Sequence, residues 1–302
     1  MNRTFFILAA CLAFTSACSV KRIAVNQVGN ALAAGGTTFA ADDDPELVRA
    51  AVPFSLKLME SLLAENPRHR GLLLAVTSGF TQYGYGFIQP DADELEATDV
   101  AGAAAVRDRA RKLYLRARNY GLRGLEENHR GFQEKLRQDP VGAARLATKA
   151  DVPLLYWTAA AWGSCISISK DNPELVADVP KVGALIERAL VLDETFEHGA
   201  IHSFLISYRM AQPGQRPQEA AALAKKHFER AVELGGGQMA GPLVTYAESV
   251  CVQRQERAEF EKLLKEALAI DVNQVPEVRL ANLIMQRRAR WLLGKIDELF
   301  AD

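Results

Sequence analysis

The chain has 302 residues, of which 49% are hydrophobic, so it is long enough to bury a substantial core. Its 36 basic and 37 acidic residues give a formal net charge of −1, which argues against nucleic acid or an anionic surface as the main partner. Of its four cysteines, Cys165 and Cys251 lie in apolar helical contexts. A disulfide and two buried free thiols are both open for this pair.

The N-terminal residues have the pattern of a secretory signal. Residues 1–17 combine a short basic start, an uncharged apolar run and small residues before Cys18. We interpret Cys18 as a bacterial lipoprotein site whose acyl chains anchor the protein to a membrane surface. Processing at Cys11 and an ordinary cleaved signal stay open as alternatives. Ser19 after the cysteine favours the outer membrane, on the periplasmic side of the envelope.

The mature chain is predicted to be nearly all helix. Residues 18–40 form the lipidated N-terminus and a Gly-rich tether, and residues 41–302 form one helical domain. The domain begins with an acidic cap at Asp43 or Asp44 and Pro45 in the first turn. Apolar residues then recur at the helical period, and runs of alternating β-branched residues are absent from the sequence.

Short internal repeats predict an array of helical hairpins. The segments IERALVLDE (186–194), FERAVELGG (228–236) and LKEALAIDV (264–272) align on Ala189, Ala231 and Ala267. Each is followed by a turn and another apolar helix, and a small Ala lets two antiparallel helices approach closely. The fold class is therefore predicted as all-α, a solenoid-like array of degenerate tetratricopeptide-like hairpins.

A second internal similarity lies at two predicted helix starts. DDPELVRAAVPF (43–54) recurs as DNPELVADVPKV (171–182), which predicts in both places a capped helix followed by Val-Pro and a new helix.

The sequence gives only weak indications of a catalytic site or a metal site. His198 and His202 are four residues apart, but a zinc site needs a further protein ligand at a recognisable spacing. Neither Ser164 nor Cys165 lies in a nucleophile turn. We therefore predict no enzyme, no metal and no cofactor, and keep an envelope hydrolase using Cys165 or the His pair only as a weak alternative.

Aromatic side chains are the remaining candidates for a ligand site. They lie in GFTQYGYGFIQ (79–89) and PLLYWTAAAWGSCISIS (153–169). Trp157 and Trp162 are five residues apart and face different sides of a helix, so that helix is surrounded on both sides by core or by a lined cavity. The predicted cavity residues are Phe80, Tyr83, Tyr85, Tyr156, Trp157 and Trp162.

The blocks at 42–89 and 155–182, followed by the Glu-Arg-Ala-Leu repeats, resemble the T component of tripartite ATP-independent periplasmic (TRAP) transporters. The resemblance implies a periplasmic lipoprotein of tetratricopeptide-like hairpins that binds the substrate-binding P component, forms a homotrimer and passes a hydrophobic small ligand through an internal pore. The alternative is a general envelope scaffold that organises protein partners through its repeats without a small ligand.

Overall fold

A computed structural model describes residues 26–33 and 38–300, and these are almost entirely helical. No strand occurs within these two ranges, so the predicted all-α class is confirmed. The predicted signal at residues 1–17, the lipidation site Cys18 and most of the tether lie outside the described residues. The division into signal, tether and domain stays a prediction.

Seventeen α-helices follow one another along the described residues. In order they are α1 (26–33), α2 (Pro45–Glu65), α3 (Arg70–Tyr83), α4 (Gln89–Leu95), α5 (Val100–Asn128), α6 (Phe132–Gln138), α7 (Pro140–Ala144), α8 (Val152–Ser167), α9 (Pro173–Val176), α10 (Val179–Leu192), α11 (Ala200–Ala211), α12 (Pro217–Leu234), α13 (Ala240–Tyr246), α14 (Val252–Arg254), α15 (Arg257–Ala269), α16 (Arg279–Leu293) and α17 (Ile296–Leu299).

The two similar segments, 43–54 and 171–182, begin with the same type of helix cap but continue differently. Asp44 caps α2 by accepting from the backbone N–H groups of Glu46 and Leu47, and Asn172 caps α9 in the same way. The first copy then runs through Pro53 as one helix of 21 residues, so the predicted break at Val-Pro is wrong there. In the second copy α9 ends after one turn and Pro180 lies in the first turn of α10.

The repeat alanines lie where helices touch. Ala189, Ala231 and Ala267 are fully buried, which fits close approach of neighbouring helices. Each long helix contacts the next in the order α2, α3, α5, α8, α10, α11, α12, α13, α15 and α16, and α16 returns to contact α2. The path of contacts therefore closes on itself. The solenoid-like tetratricopeptide arrangement stays a prediction. The contact of the last long helix, α16, with α2 was not part of that prediction.

Ion pairs join α16 to residues in the N-terminal third of the chain. Arg287 Nη2 lies 2.8 Å from Glu94 Oε2 on α4. Arg288 Nη1 lies 2.9 Å from Asp93 Oδ2, and its other terminal nitrogen pairs with Glu248. The Arg288 side chain is only 15% exposed, so these pairs are poorly screened by solvent. Arg288 thus ties α16 to two other segments.

Two wide helical turns interrupt helices, each directly after a tyrosine. Gly84–Ile88 follows Tyr83 and joins α3 to α4, and Ala247–Cys251 follows Tyr246 and joins α13 to α14. Both have π-helical hydrogen bonding, which is rare and is frequently found at functional sites. A side chain on Gly84 would collide with the buried ring of Tyr114, 2.8 Å away, so this turn requires a glycine.

The two cysteines are free thiols in separate parts of the core. Cys165 packs among residues of α2, α3 and α5, and Cys251 packs with α13, α15 and α16. Both are fully buried, and burial raises the pKa of each thiol. A buried thiol with a raised pKa is a poor nucleophile.

Candidate functional site

One face of α8 is reached by solvent although the helix lies among α3, α5, α10 and α11. Its opposite face, with Leu155, Thr158 and Trp162, is buried. The accessible face carries Tyr156 and Trp157, followed at helical spacing by small residues. The two rings meet edge to face, with centroids 4.9 Å apart. A helix with this distribution has core on one side and open space on the other.

Tyr85 of the first wide turn is also accessible, since the residue is 45% exposed. Burial of its hydroxyl is the largest cause that raises the pKa of this group to about 12. The charges that act on the hydroxyl are those of Glu248, Arg288 and Asp93, so it lies near α16 and α4. Gly84, Gly86 and Phe87 beside it in the wide turn are buried.

A left-handed turn before α11 carries the charged side chain of Glu197. Glu197 has φ 43° and ψ 56°, His198 has φ 55° and ψ 34°, and Gly199 follows at φ 87°. Two consecutive non-glycine residues in this region cost about 1–2 kcal/mol each. Such strain is concentrated at functional sites. The turn brings the Glu197 carboxyl near Trp157.

The ionisation of Glu197 depends on its neighbours. Burial of the carboxyl raises its pKa to about 7 and the neighbouring Trp157 lowers it, although the residue as a whole is exposed. Burial also raises the pKa of Tyr156, and negative charge on Glu197 and on Tyr85 raises it further. Charges influence each other strongly only over short distances. Tyr85 and Glu197 therefore both lie near Tyr156.

A small cleft adjoins Tyr85. It encloses about 60 Å³ and is lined by both wide turns and by α16, through Tyr85, Gln89, Asp93, Glu248, Met285 and Arg288. Arg288 is already paired with two carboxylates and lies over the ring of Trp291 at 4.2 Å. Because its guanidinium is occupied by protein groups, the cleft joins helices and offers no free cation to a ligand.

The predicted cavity residues fall into an accessible set and a buried set. Tyr85, Tyr156 and Trp157 are accessible, whereas Phe80, Tyr83 and Trp162 are at most 7% exposed. Trp162 lies between two cations, with Arg118 at 5.1 Å and Lys181 at 5.9 Å from its ring centre. Phe80 stacks on Tyr120. The assignment of all six as ligand contacts stays a prediction.

Sequence reasoning did not assign two neighbours of Tyr156 to the aromatic site. Phe196 packs against Tyr156 with ring centres 5.3 Å apart. Glu197 is the second of these neighbours. A glycine after an acid and a histidine, directly before an apolar helix, was the available signal for a left-handed turn.

The weak metal pair is not assembled. His198 lies in the left-handed turn, while His202 is 6% exposed on α11 and contacts His227 of α12. Within residues 26–33 and 38–300, no group of three or more His, Cys, Asp or Glu side chains could hold a metal ion. None of the helices described in these ranges is both long and apolar enough to cross a bilayer.

Two comparisons with known proteins match nearly the whole domain. The family model described as "TRAP transporter T-component" matches residues 41–300. An uncharacterized protein of Treponema pallidum (strain Nichols) is 31% identical over 317 residues, covering 98% of this chain and 97% of that protein.

Proposed function

The chain belongs to the TRAP transporter T-component family, and from this premise we propose that it is a non-enzymatic accessory protein of a TRAP-type uptake system. In this proposal it binds the substrate-binding P component and passes an apolar small ligand through an internal cavity beside α8. It is held at the periplasmic side of the envelope by lipid on Cys18 and assembles as a homotrimer.

The family match is the observation that carries the proposal. Accessible aromatic side chains support its ligand-binding part, since Tyr85 is exposed and Tyr156 and Trp157 are partly exposed. Pockets for small ligands are mostly apolar, with a few polar groups that fix orientation.

An exposed apolar stripe on α2 supports the protein-binding part. Leu47, Phe54 and Leu58 recur at seven and four residues and therefore lie along one face of the helix. Phe54 is 74% exposed. Contiguous exposed apolar side chains are typical of protein contacts. We assign this stripe to the P component.

A pull-down of the purified P component by the full-length protein in detergent tests the proposal. Phe54→Asp should reduce capture at least about tenfold, because a charge in an apolar contact is costly. Val191→Asp is the matched control, since Val191 is 76% exposed on α10 and lies outside the stripe. Absence of capture by the wild-type protein would overturn the proposed function.

Membrane fractionation tests the anchor separately. Cys18→Ala should release the protein into the soluble fraction, because the acyl chains supply the attachment. Continued membrane association of this variant would count against lipidation at Cys18. It would leave binding of the P component untouched.

A further inference from the structure

Helix α1 is docked on the turn that joins α2 to α3. Asn66 in this turn donates to the side-chain oxygen of Asn26, where the described chain begins, at 2.6 Å. Gly71 allows a close approach, since a β-carbon there would lie 2.9 Å from the β-carbon of Ala33. Leu32 and Ala33 pack against the apolar core to which α2 and α3 contribute. The described chain therefore begins at the turn where α2 ends.

This docking limits where the predicted lipid anchor attaches to the domain. Cys18 precedes Asn26 by eight residues. An extended chain spans at most about 3.5 Å per residue, so lipid on Cys18 is tied within about 28 Å of Asn26. Helix α2 has 21 residues. At about 1.5 Å per residue its length is about 30 Å. The anchor thus holds the domain by the end at which α2 finishes.

Two arginines at this end keep their charge available. Arg70 donates to the backbone oxygen of Glu127 at 3.3 Å, and Arg123 donates to that of Pro67 at 2.7 Å. A backbone oxygen carries no net charge, so these hydrogen bonds position the guanidinium groups without neutralising them. Both groups can therefore attract an anion outside the protein.

The two ends of α2 differ in charge. Residues 41–46, at its start, contain four acidic side chains and no basic one, and Arg279 of α16 reaches them through the backbone oxygen of Ala41. Residues 65–70 and 123–130, at its end, contain four arginines and three glutamates. Of these glutamates, Glu127 is paired with Arg68, and Glu126 accepts from the backbone N–H group of Gly131. An anionic surface therefore attracts the end of α2 more than its start.

We propose that residues 65–70 and 123–130 lie against the anionic phospholipid head groups of the bilayer that holds the Cys18 acyl chains. Anionic lipids attract basic residues, and the attraction falls off within a Debye length, which is about 8 Å at physiological salt. The acidic start of α2, about 30 Å from its end, lies beyond this range when the helix stands upright on the membrane.

An upright α2 leaves its side free for the P component. Leu47, Phe54 and Leu58 run along one face of the helix and not across its end. The stripe is then held beside the membrane surface and not against it. The inference rests on the proposed function, because it takes the Cys18 anchor from it and says how that anchor presents the domain.

Two labelled positions on α2 test the orientation. Ala50 and Ala64 are both exposed, and their separation of 14 residues places them on similar faces, about 21 Å apart along the axis. Each is replaced by Cys and labelled with bimane in the full-length lipidated protein, in vesicles of phosphatidylethanolamine and phosphatidylglycerol. The native Cys165 and Cys251 are buried. Lipids with a nitroxide on the head group should quench the Ala64→Cys label at least about fivefold more than the Ala50→Cys label, because quenching acts only over a short distance.

Further variants test the contacts behind the orientation. Gly71→Leu leaves no room for Ala33 and should remove most of the difference while the protein stays on the vesicles. Gly241→Leu is the matched control, since the nearest atom to its β-carbon is 4.0 Å away, and it should keep the difference. Arg130→Glu should lower quenching of the Ala64→Cys label in these vesicles and have no effect in vesicles of phosphatidylcholine, which carry no net charge.

The outcomes separate the orientation from the proposed function. Equal quenching at the two positions, or stronger quenching of the Ala50→Cys label, overturns the upright orientation and leaves the anchor and capture of the P component standing. Failure of the full-length protein to float with the vesicles contradicts the Cys18 anchor itself, and with it the localisation in the proposed function.

Discussion

The Nδ1 atoms of His202 on α11 and His227 on α12 lie 2.9 Å apart. Arg209 Nε donates to His227 Nε2 at 3.3 Å, so Nδ1 of His227 carries the proton that is donated to His202. Nε2 of His202 in turn donates to Glu194 Oε1 at 3.1 Å. The hydrogen-bond network thus assigns one proton to each ring, and both imidazoles are neutral.

Acidification is expected to destabilise the protein through this pair. Burial, and then the charge of Arg209, lower the pKa of His227 to about 4 from 6.5. Between these values the unfolded state binds more protons, so the free energy of unfolding falls as the pH falls. We expect a loss of about 2 kcal/mol between about pH 7 and pH 4, because solvent reduces the full effect on a partly exposed ring.

Urea unfolding at a series of pH values measures this loss. His227→Gln removes the titrating ring and should flatten the dependence of stability on pH below about pH 6.5. His198→Gln is the control, because His198 lies on the exposed turn outside the network. A wild-type slope in His227→Gln would contradict the prediction.

Removal of Arg288 is expected to loosen the closure of the helical path. Asp93 and Glu248 would lose their shared cation, and Trp291 would lose the guanidinium over its ring. Breaking a poorly solvated pair by removing one partner leaves uncompensated charge, so Arg288→Ala should cost about 3 kcal/mol. Arg257→Ala removes a pair with Asp297, which is 86% exposed, and should cost less than about 1 kcal/mol.

Thermal unfolding of the two variants gives the comparison. Arg288→Met keeps much of the side-chain volume and separates charge from packing. If Arg288→Ala and Arg257→Ala unfold at the same temperature, the closure does not depend on Arg288.

The features predicted well from the sequence are those decided within a few residues. Asp44 and Asn172 each precede a Pro in the first turn, and the hydrogen bonds that cap a helix reach no further than three residues. Helical periodicity is equally local, which is why the all-α class was predictable. The same local sequence did not decide whether the helix continues, since Pro53 is accommodated inside α2.

The candidate site was predictable only in part because accessibility is decided by distant elements. Tyr85, Tyr156 and Trp157 were among the predicted cavity residues and are accessible to solvent at least in part. Phe80 lies in the same glycine-rich aromatic segment as Tyr85 but is buried and stacks on Tyr120. The left-handed conformation of Glu197 is uncommon for a residue with a β-carbon, so no propensity indicates it.

The stability of the wild-type protein relative to Glu197→Gln is expected to fall as the pH rises. Burial raises the pKa of Glu197 from 4.5 to about 7. Between these values the native state binds more protons than the unfolded state, so deprotonation penalises the fold, and the penalty is complete above about pH 7. We expect Glu197→Gln to be more stable by about 1 kcal/mol at about pH 8, a value discounted for exposure, and equal at about pH 4.

The difference between the two proteins isolates Glu197 from the histidine pair, whose contribution is common to both. Glu229→Gln, which removes an exposed carboxylate of α12, serves as the control. A stability difference that does not change with pH would show that Glu197 is ordinarily solvated.

A glycine at position 198 is expected to relieve the strain of the turn. His198 has φ 55°, where a β-carbon costs about 1 kcal/mol or more and glycine adds no such cost. His198→Ala keeps the β-carbon, so His198→Gly should be more stable than His198→Ala by about 1 kcal/mol in urea unfolding. Gly199→Ala, at φ 87° and with Leu234 3.0 Å from the new β-carbon, should be destabilised. If His198→Gly and His198→Ala are equally stable, the turn is not strained.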